Sequence, residues 1–210
     1  HKEYRRQRQM CIRDRVDEVL ALARQTYGQI KASGQKPVRR RPQEPVLRGQ
    51  KRITLSDGKV EQPSWQRSYL VPSVLTAEKG VSEAIEVLMQ LLAGGQSGYL
   101  HRKLVVEQKK AVAVGGWYHS TTCDKTRLLL YAVPAEGVSL DAIEKAVEET
   151  LAVFAHEGIT DSALARAKTR LIADAFYAQD SQTAMARMFG SALAVGACVK
   201  DVLDWPSTLD

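Results

Sequence analysis

Aromatic residues make up only 6% of the 210 residues, and cysteine is scarcer still, with three thiols at Cys11, Cys123 and Cys198. An odd number of widely spaced thiols without a C-x-x-C pair excludes a disulfide scaffold and gives no support to structural zinc or dithiol redox chemistry. Long hydrophobic runs are missing too. Charged residues interrupt every apolar stretch well before the roughly 18 residues that a membrane-spanning helix needs. The opening, HKEYRRQRQ, holds neither a Met nor an apolar h-region, so no signal peptide is visible and the chain reads as beginning in mid-protein. What remains is 44% hydrophobic and 26% charged, the composition of a globular chain long enough for one generous domain, or for one domain plus part of another.

Motifs that carry chemistry are absent as well. The four histidines, His1, His101, His119 and His156, form no H-E-x-x-H or H-x-x-E-H pair, the helical spacing that aims two imidazoles at one zinc with a carboxylate beside the bound water. His156 falls in the last turn of an expected helix before Gly158, where an imidazole meets the negative helix end. His101 and His119 are read as surface residues. The glycine-rich GGQSG at Gly94–Gly98 follows a helix instead of a strand and lacks the Lys-Ser/Thr of a phosphate loop, so it is read as a helix-to-helix turn. There is no G-x-S-x-G elbow, and Cys123 has no base placed beside it. Taken by its residues alone, the chain is a scaffold without a reaction centre.

Charge is distributed unevenly: residues 1–52 carry 15 Lys/Arg against 5 Asp/Glu, and residues 53–210 carry 15 against 19. The basic RRRP at Arg39–Pro42 lies in a Pro/Gln-rich stretch without neighbouring aromatics, so it reads as a solvated linker and not as a nucleic-acid-binding arm. Before it, Val16–Gly28 has helical periodicity through Val19, Leu20, Ala23 and Tyr27. After it, Lys51–Ser56 and Trp65–Val71 are β-prone. A helix capped by Thr76 is expected to present Val81, Ile85, Leu88 and Leu92, followed by a helix over residues 98–108. Strands are predicted at Ala111–Tyr118 and Arg127–Val133. Three helices follow, starting at Ser139, Thr160 and Ser181, with stops at Gly158 and Gly196. Strands that come in adjacent pairs predict an α+β fold, an antiparallel sheet covered by helices on one face.

Three segments in this order, GGQSGYLHRKLVVEQKKAVAVGGWY, YAVPAEGVSLDAIEKAV and GITDSALARAKTRLIADAFYAQDSQTAMARMFG, closely resemble the second half of bacterial zinc peptidases of the insulinase/pitrilysin family, the inverzincins. DEVLALARQTYGQI resembles the last helix of that family's catalytic domain, and QPSWQRSYLVPS the opening strands of its second domain. The resemblance implies one half of the clamshell of the processing-peptidase-like metallohydrolase fold. It divides the chain into residues 16–28 as the end of the catalytic domain, 29–50 as an interdomain linker, and 51–210 as the second, non-catalytic domain, incomplete at its end. In the family the first half carries H-x-x-E-H and a distant Glu that hold zinc, and it cleaves unfolded peptides enclosed between the halves. This chain lacks that motif, so the resemblance implies an inactive half that forms the chamber wall, with the H-x-x-E-H half as its partner. An inactive partner or structural subunit of the same family is the alternative.

Two departures accompany the resemblance. The Arg and Tyr that reach substrate in many relatives fall at Val105 and Val112, where valines suit buried packing, and Glu107 or Gln108 suits a solvated helix face. MCIRDR (Met10–Arg15) has no counterpart in the family and reads like a translated transposase mosaic end, so residues 1–15 are expected to be a non-native or chimeric leader. Within that leader, KEYRRQR resembles the segment that carries the family's third zinc ligand, which places Glu3 at the matching position. The resemblance also implies zinc in the full-length parent, none held by this chain, and export to the periplasm. An end at Asp210 is expected to leave the helices bearing Phe176 and Phe189 without a last covering element.

Overall fold

In the computed structural model, which describes residues 15–31, 34, 42, 45 and 48–209, the sheet is organised by its most apolar segment. TRLLLYAVP forms strand β3 (Thr126–Pro134) and lies between β1 (Trp65–Val71) and β2 (Ala111–Tyr118), antiparallel to both. Its alternation gives each face its own set of side chains. Leu128, Leu130 and Ala132 join the main core with Trp65 and Val114, while Leu129 and Tyr131 point to the opposite face, beside Trp117 and Gly115.

Helices cover the first face. They are α2 (Val81–Ala93), a π-helix (His101–Glu107) and α3 (Leu140–Glu157), which contribute Met89 and Leu92, Leu104, and Ile143, Ala146 and Val147 to that core. Leu100, Leu104, Ile143 and Val147 are at most 1% exposed, and burying each such side chain stabilises the fold by about 1.5–3 kcal/mol. Three more helices follow, α4 (Asp161–Ala178), α5 (Gln182–Val195) and α6 (Val199–Thr208). Helix α4 and the α6 end build a smaller cluster with α2 around Val87, Ala167 and Leu209, while α5 buries Ala192. Helix α2 serves both clusters, because Met89 and Leu92 lie on one side of it and Val87 and Leu91 on another.

The α+β architecture, an antiparallel sheet with helices on one face, is as expected from the sequence. The helix starts are also where the residues placed them. Ser139 Oγ accepts from Ala142 N–H (3.1 Å), Thr160 Oγ1 from Ala163 N–H (3.3 Å) and Ser181 Oγ from Ala184 N–H (3.3 Å), each satisfying an otherwise open donor of the first turn. Gly158 ends α3, and Gly196, with φ of +103°, ends α5 in the left-handed region that glycine adopts without cost.

Four expectations are corrected. Residues 51–56 form no strand: Ile53 is 89% and Leu55 84% exposed, and a β-prone run becomes a strand only where another backbone takes up its ladder. Thr76 is not a helix cap. Its Oγ1 accepts from Ser73 N–H at 2.8 Å and closes a turn, while α2 starts five residues later, after Gly80. Val112 is 54% exposed, because the β2 register shifts between Ala111 and Ala113 and turns it outward. The stretch beyond Gly196 forms α6, a helix the sequence reading did not anticipate, with Cys198 and Asp201 in a capping box and Pro206 in its last turns.

The chain divides into two compact units, His1–Leu47 and Arg48–Asp210. In the first, α1 (Val16–Thr26) carries Asp17 and Glu18 in its first turn and Arg24 in its last, and none of its residues is buried. Acidic groups at the start and a basic group at the end suit the helix dipole.

Candidate functional site

The three described histidines are held on separate elements. His101 opens the π-helix, His119 follows β2, and His156 occupies the exposed last turn of α3. Among the described residues, no group of three His, Cys, Asp or Glu side chains converges to hold a metal. The described residues therefore form no set that fits the zinc that the family resemblance brings with it. Glu3, the candidate for a distant zinc ligand, lies outside the described residues, as do Arg39–Arg41 and Cys11.

The segment corresponding to the family's substrate-reaching pair is built around the π-helix. Gln108 N–H donates to Lys103 O and Lys110 N–H to Leu104 O, each at 2.9 Å, and Lys109 turns the chain into β2 with φ of +53°. Val105 is half-buried against the core, whereas Val112 faces solvent; Glu107 and Gln108 are exposed, as expected. The wide helix leaves the Nδ1 of His101 buried without a hydrogen-bond partner. Tyr99 just before it packs edge-on against Phe154, with ring centroids 4.9 Å apart, and its hydroxyl donates to Glu157 at 3.4 Å.

Two polar constellations draw on residues far apart in the chain. On α2, Glu86 accepts from the indole N–H of Trp205 on α6 at 2.9 Å, and Ser120 adds a second side-chain hydrogen bond. Burial raises the pKa of the Glu86 carboxyl above the usual range, the two hydrogen bonds oppose that shift, and the charge of Glu83 adds to it. Beside them, Tyr118 donates to Pro72 O at 2.7 Å. Burial, followed by the charges of Glu86 and Glu83, pushes its phenol up to about 12. A carboxyl fixed between an indole and a hydroxyl ties α2 to α6 and to Ser120 beyond the β2 end.

The other constellation lies along α3. Asp141, Glu144 and Glu148 stand at i, i+3 and i+7 on one helix face, and two arginines answer them. Arg52 pairs with Asp141 and, at 3.0 Å, with Glu144; Arg67 of β1 pairs with Glu144 at 3.2 Å and with Glu148. Sequence reading singled out neither constellation. For Glu86 a signal was present, because an acidic residue stands between Ile85 and Val87 on an apolar helix. Its partner, however, is 119 positions away.

A three-stranded antiparallel layer with helices on one face defines an α+β domain. Residues 15–171 match the family described as the Peptidase M16 inactive domain. The chain belongs to that family, the inactive domain of insulinase/pitrilysin-type metallopeptidases. Solved structures with similar folds include three from bacteria. A protease from Helicobacter pylori superimposes with a TM-score of 0.81 at 19% identity, over 92% of this chain and 46% of that one. An inactive peptidase domain from Bordetella parapertussis gives 0.60 at 16%, over 75% of this chain and 82% of that one. The Peptidase M16 inactive domain from Pseudomonas fluorescens gives 0.58 at 14%, over 70% and 34%. At these identities the likeness establishes the fold, and this chain spans less than half the length of the Helicobacter protein. No curated protein matches the chain.

Proposed function

We propose that this chain is the non-catalytic half of a zinc-dependent metalloendopeptidase that degrades or processes unfolded peptides. In this reading it forms the chamber wall opposite a zinc site carried by an H-x-x-E-H half, in the same polypeptide or in a separate subunit. The observation that carries the proposal is the match of residues 15–171 to the family's inactive domain. The unit's own residues would contribute shape and water exclusion, since enclosing a peptide strengthens the electrostatics at a reacting centre supplied by the other half. Export to the periplasm belongs to the same proposal.

The test is to combine the purified chain with a matching H-x-x-E-H half and follow cleavage of an unfolded fluorogenic peptide, with and without a chelator. The chain alone is expected to be inert, and the mixture to cleave faster than the catalytic half alone in a chelator-sensitive manner. Chelator-sensitive hydrolysis by this chain alone would overturn the assignment. Binding of the catalytic half without any gain in cleavage would favour the alternative, an inactive structural subunit of the same family.

A further inference from the structure

The stretch 51–56 carries β-prone residues, yet among the described residues it pairs with no strand, and Ile53 and Leu55 are 89% and 84% exposed. One ready-made acceptor lies close by. In the strand order β1-β3-β2, β1 is an edge strand, and half of its backbone amides and carbonyls are turned away from β3. Three observations place this stretch beside that edge in a usable direction.

The first is the shared carboxylate. Glu144 binds Arg52 at 3.0 Å and Arg67 of β1 at 3.2 Å, so the side chains of the two segments already meet on one group. The second is direction. Helix α3 follows β3 after the short connection at residues 135–139 and folds back over it, so it runs the same way as β1, which is antiparallel to β3. Arg52 reaches Asp141 and Glu144, and Thr54 lies with Ser139, Leu140 and Asp141 along a shared groove, so the stretch advances toward the start of α3. It therefore runs antiparallel to β1. The third is the connection. Val60 N–H donates to Asp57 O at 3.0 Å and Lys59 N–H to Asp57 Oδ1 at 2.9 Å, a formed turn between the stretch and β1. The turn and the anchoring ion pairs are in place, and only the ladder is missing.

From this we infer that residues 51–56 are a strap that closes onto the outer edge of β1 as a fourth strand, with Arg52 and Glu144 as the clasp that holds it in register. Residue parity then puts Arg52 and Thr54 on the helix-covered face with Arg67, and Ile53 and Leu55 on the open face with Gln66 and Ser68. Arg52 is 62% exposed on its side of the clasp, so closure depends on ionic strength. Other occupants of the same edge, such as an outside peptide, are separated from this one by the experiment.

The experiment is residue-resolved amide hydrogen exchange on the full chain, comparing the wild type with Ile53→Pro and Arg52→Ala. Proline cannot donate to the new ladder and lies outside the packed body, so the β2–β3 amides serve as an internal control for folding. The expected result is at least about tenfold protection of the outward amides of β1 in the wild type. That protection is lost in Ile53→Pro, reduced in Arg52→Ala, and lowered when salt is raised from about 0.05 to about 1 M. β2–β3 protection stays unchanged throughout. Unprotected β1 outward amides in the wild type, or equal protection in Ile53→Pro, would overturn the inference. So would protection that arises only when an unfolded peptide is added, which would assign the edge to an external strand.

Discussion

Two regions of the larger unit are built from similar helices and differ in depth. Around the sheet, Leu100, Leu104, Ala132, Ile143, Ala146 and Val147 are at most 1% exposed, and side chains from three strands, α2, the π-helix and α3 interlock there. Around α4–α6 the buried set is Val87, Ala167, Ala192 and Leu209, while Phe176, Tyr177 and Leu203 stand 59%, 75% and 60% exposed. A sheet offers each helix a broad surface on which successive turns can bury side chains, whereas helices that pack only on helices bury a narrow stripe each. The sheet region therefore sets global stability, and the helical layer opens locally at lower cost.

The strongest way to break this comparison is to empty the deep core. Leu104→Ala is expected to cost about 2–5 kcal/mol, the range for deleting a fully buried leucine, read as a lower denaturant midpoint at unchanged slope. An equal loss from Ala167→Gly in the helical layer would make the two regions energetically alike and remove the contrast. Next in size is overpacking of β2. A Cβ on Gly116 would lie 2.5 Å from Leu129 O and 2.7 Å from both Leu130 Cδ2 and Met89 Cε, so Gly116→Ala is expected to cost about 1–3 kcal/mol in the same measurement.

A smaller effect should separate the regions in space as well as in energy. Trp205→Phe keeps most of the apolar contact of α6 but removes its bond to Glu86, a loss of about 1.5 kcal/mol for a bond to a charged acceptor. Faster amide exchange should be confined to α6 and its neighbours, with the β2–β3 ladder unchanged. Uniform acceleration across the chain would mean that the layer and the core unfold as one. Removing the cap in Ser139→Ala should cost about 1 kcal/mol, detected by thermal unfolding.

The smallest effect is a pH dependence that belongs to the layer. Because burial raises the folded-state pKa of Glu86 above the ordinary value of 4.5, the native state holds this proton more tightly than the unfolded chain does. The resulting stabilisation is complete below the unfolded value, is lost as pH rises through the folded pKa, and then levels off. Glu86→Gln should flatten that decline in denaturation midpoints measured across the acid range. An unchanged profile would show that the carboxyl is not the source.

Legibility in the sequence followed the range of the interactions. The caps Ser139, Thr160 and Ser181 and the stops at Gly158 and Gly196 act within a turn of their own helices, and they were readable from the residues alone. The apolar runs of β2 and β3 were readable for the same reason, because each carries its own alternation. The exposure of Val112 depends on a register shift against β3, and the unpaired state of residues 51–56 on the absence of a neighbouring ladder, so neither could be read locally. For the candidate site, the lack of a zinc-binding histidine pair was plain in the letters. The tie between Glu86 and Trp205 and the bonds of Arg52 and Arg67 to the α3 carboxylates join residues 119 and 77–89 positions apart, beyond the reach of any spacing rule.

The sequence by itself thus determined the family, the layered α+β class and the starts and ends of most helices, because these rest on short-range hydrogen bonds and on the periodicity of apolar residues. Only the tertiary structure decided that α2 would serve two cores of unequal depth, that Glu86 would be held in a half-buried tie to α6, and that residues 51–56 would lie unpaired beside an open strand edge. Each of these depends on which surfaces meet after the chain has folded back on itself. Desolvation and ladder pairing are properties of that meeting and not of either segment alone.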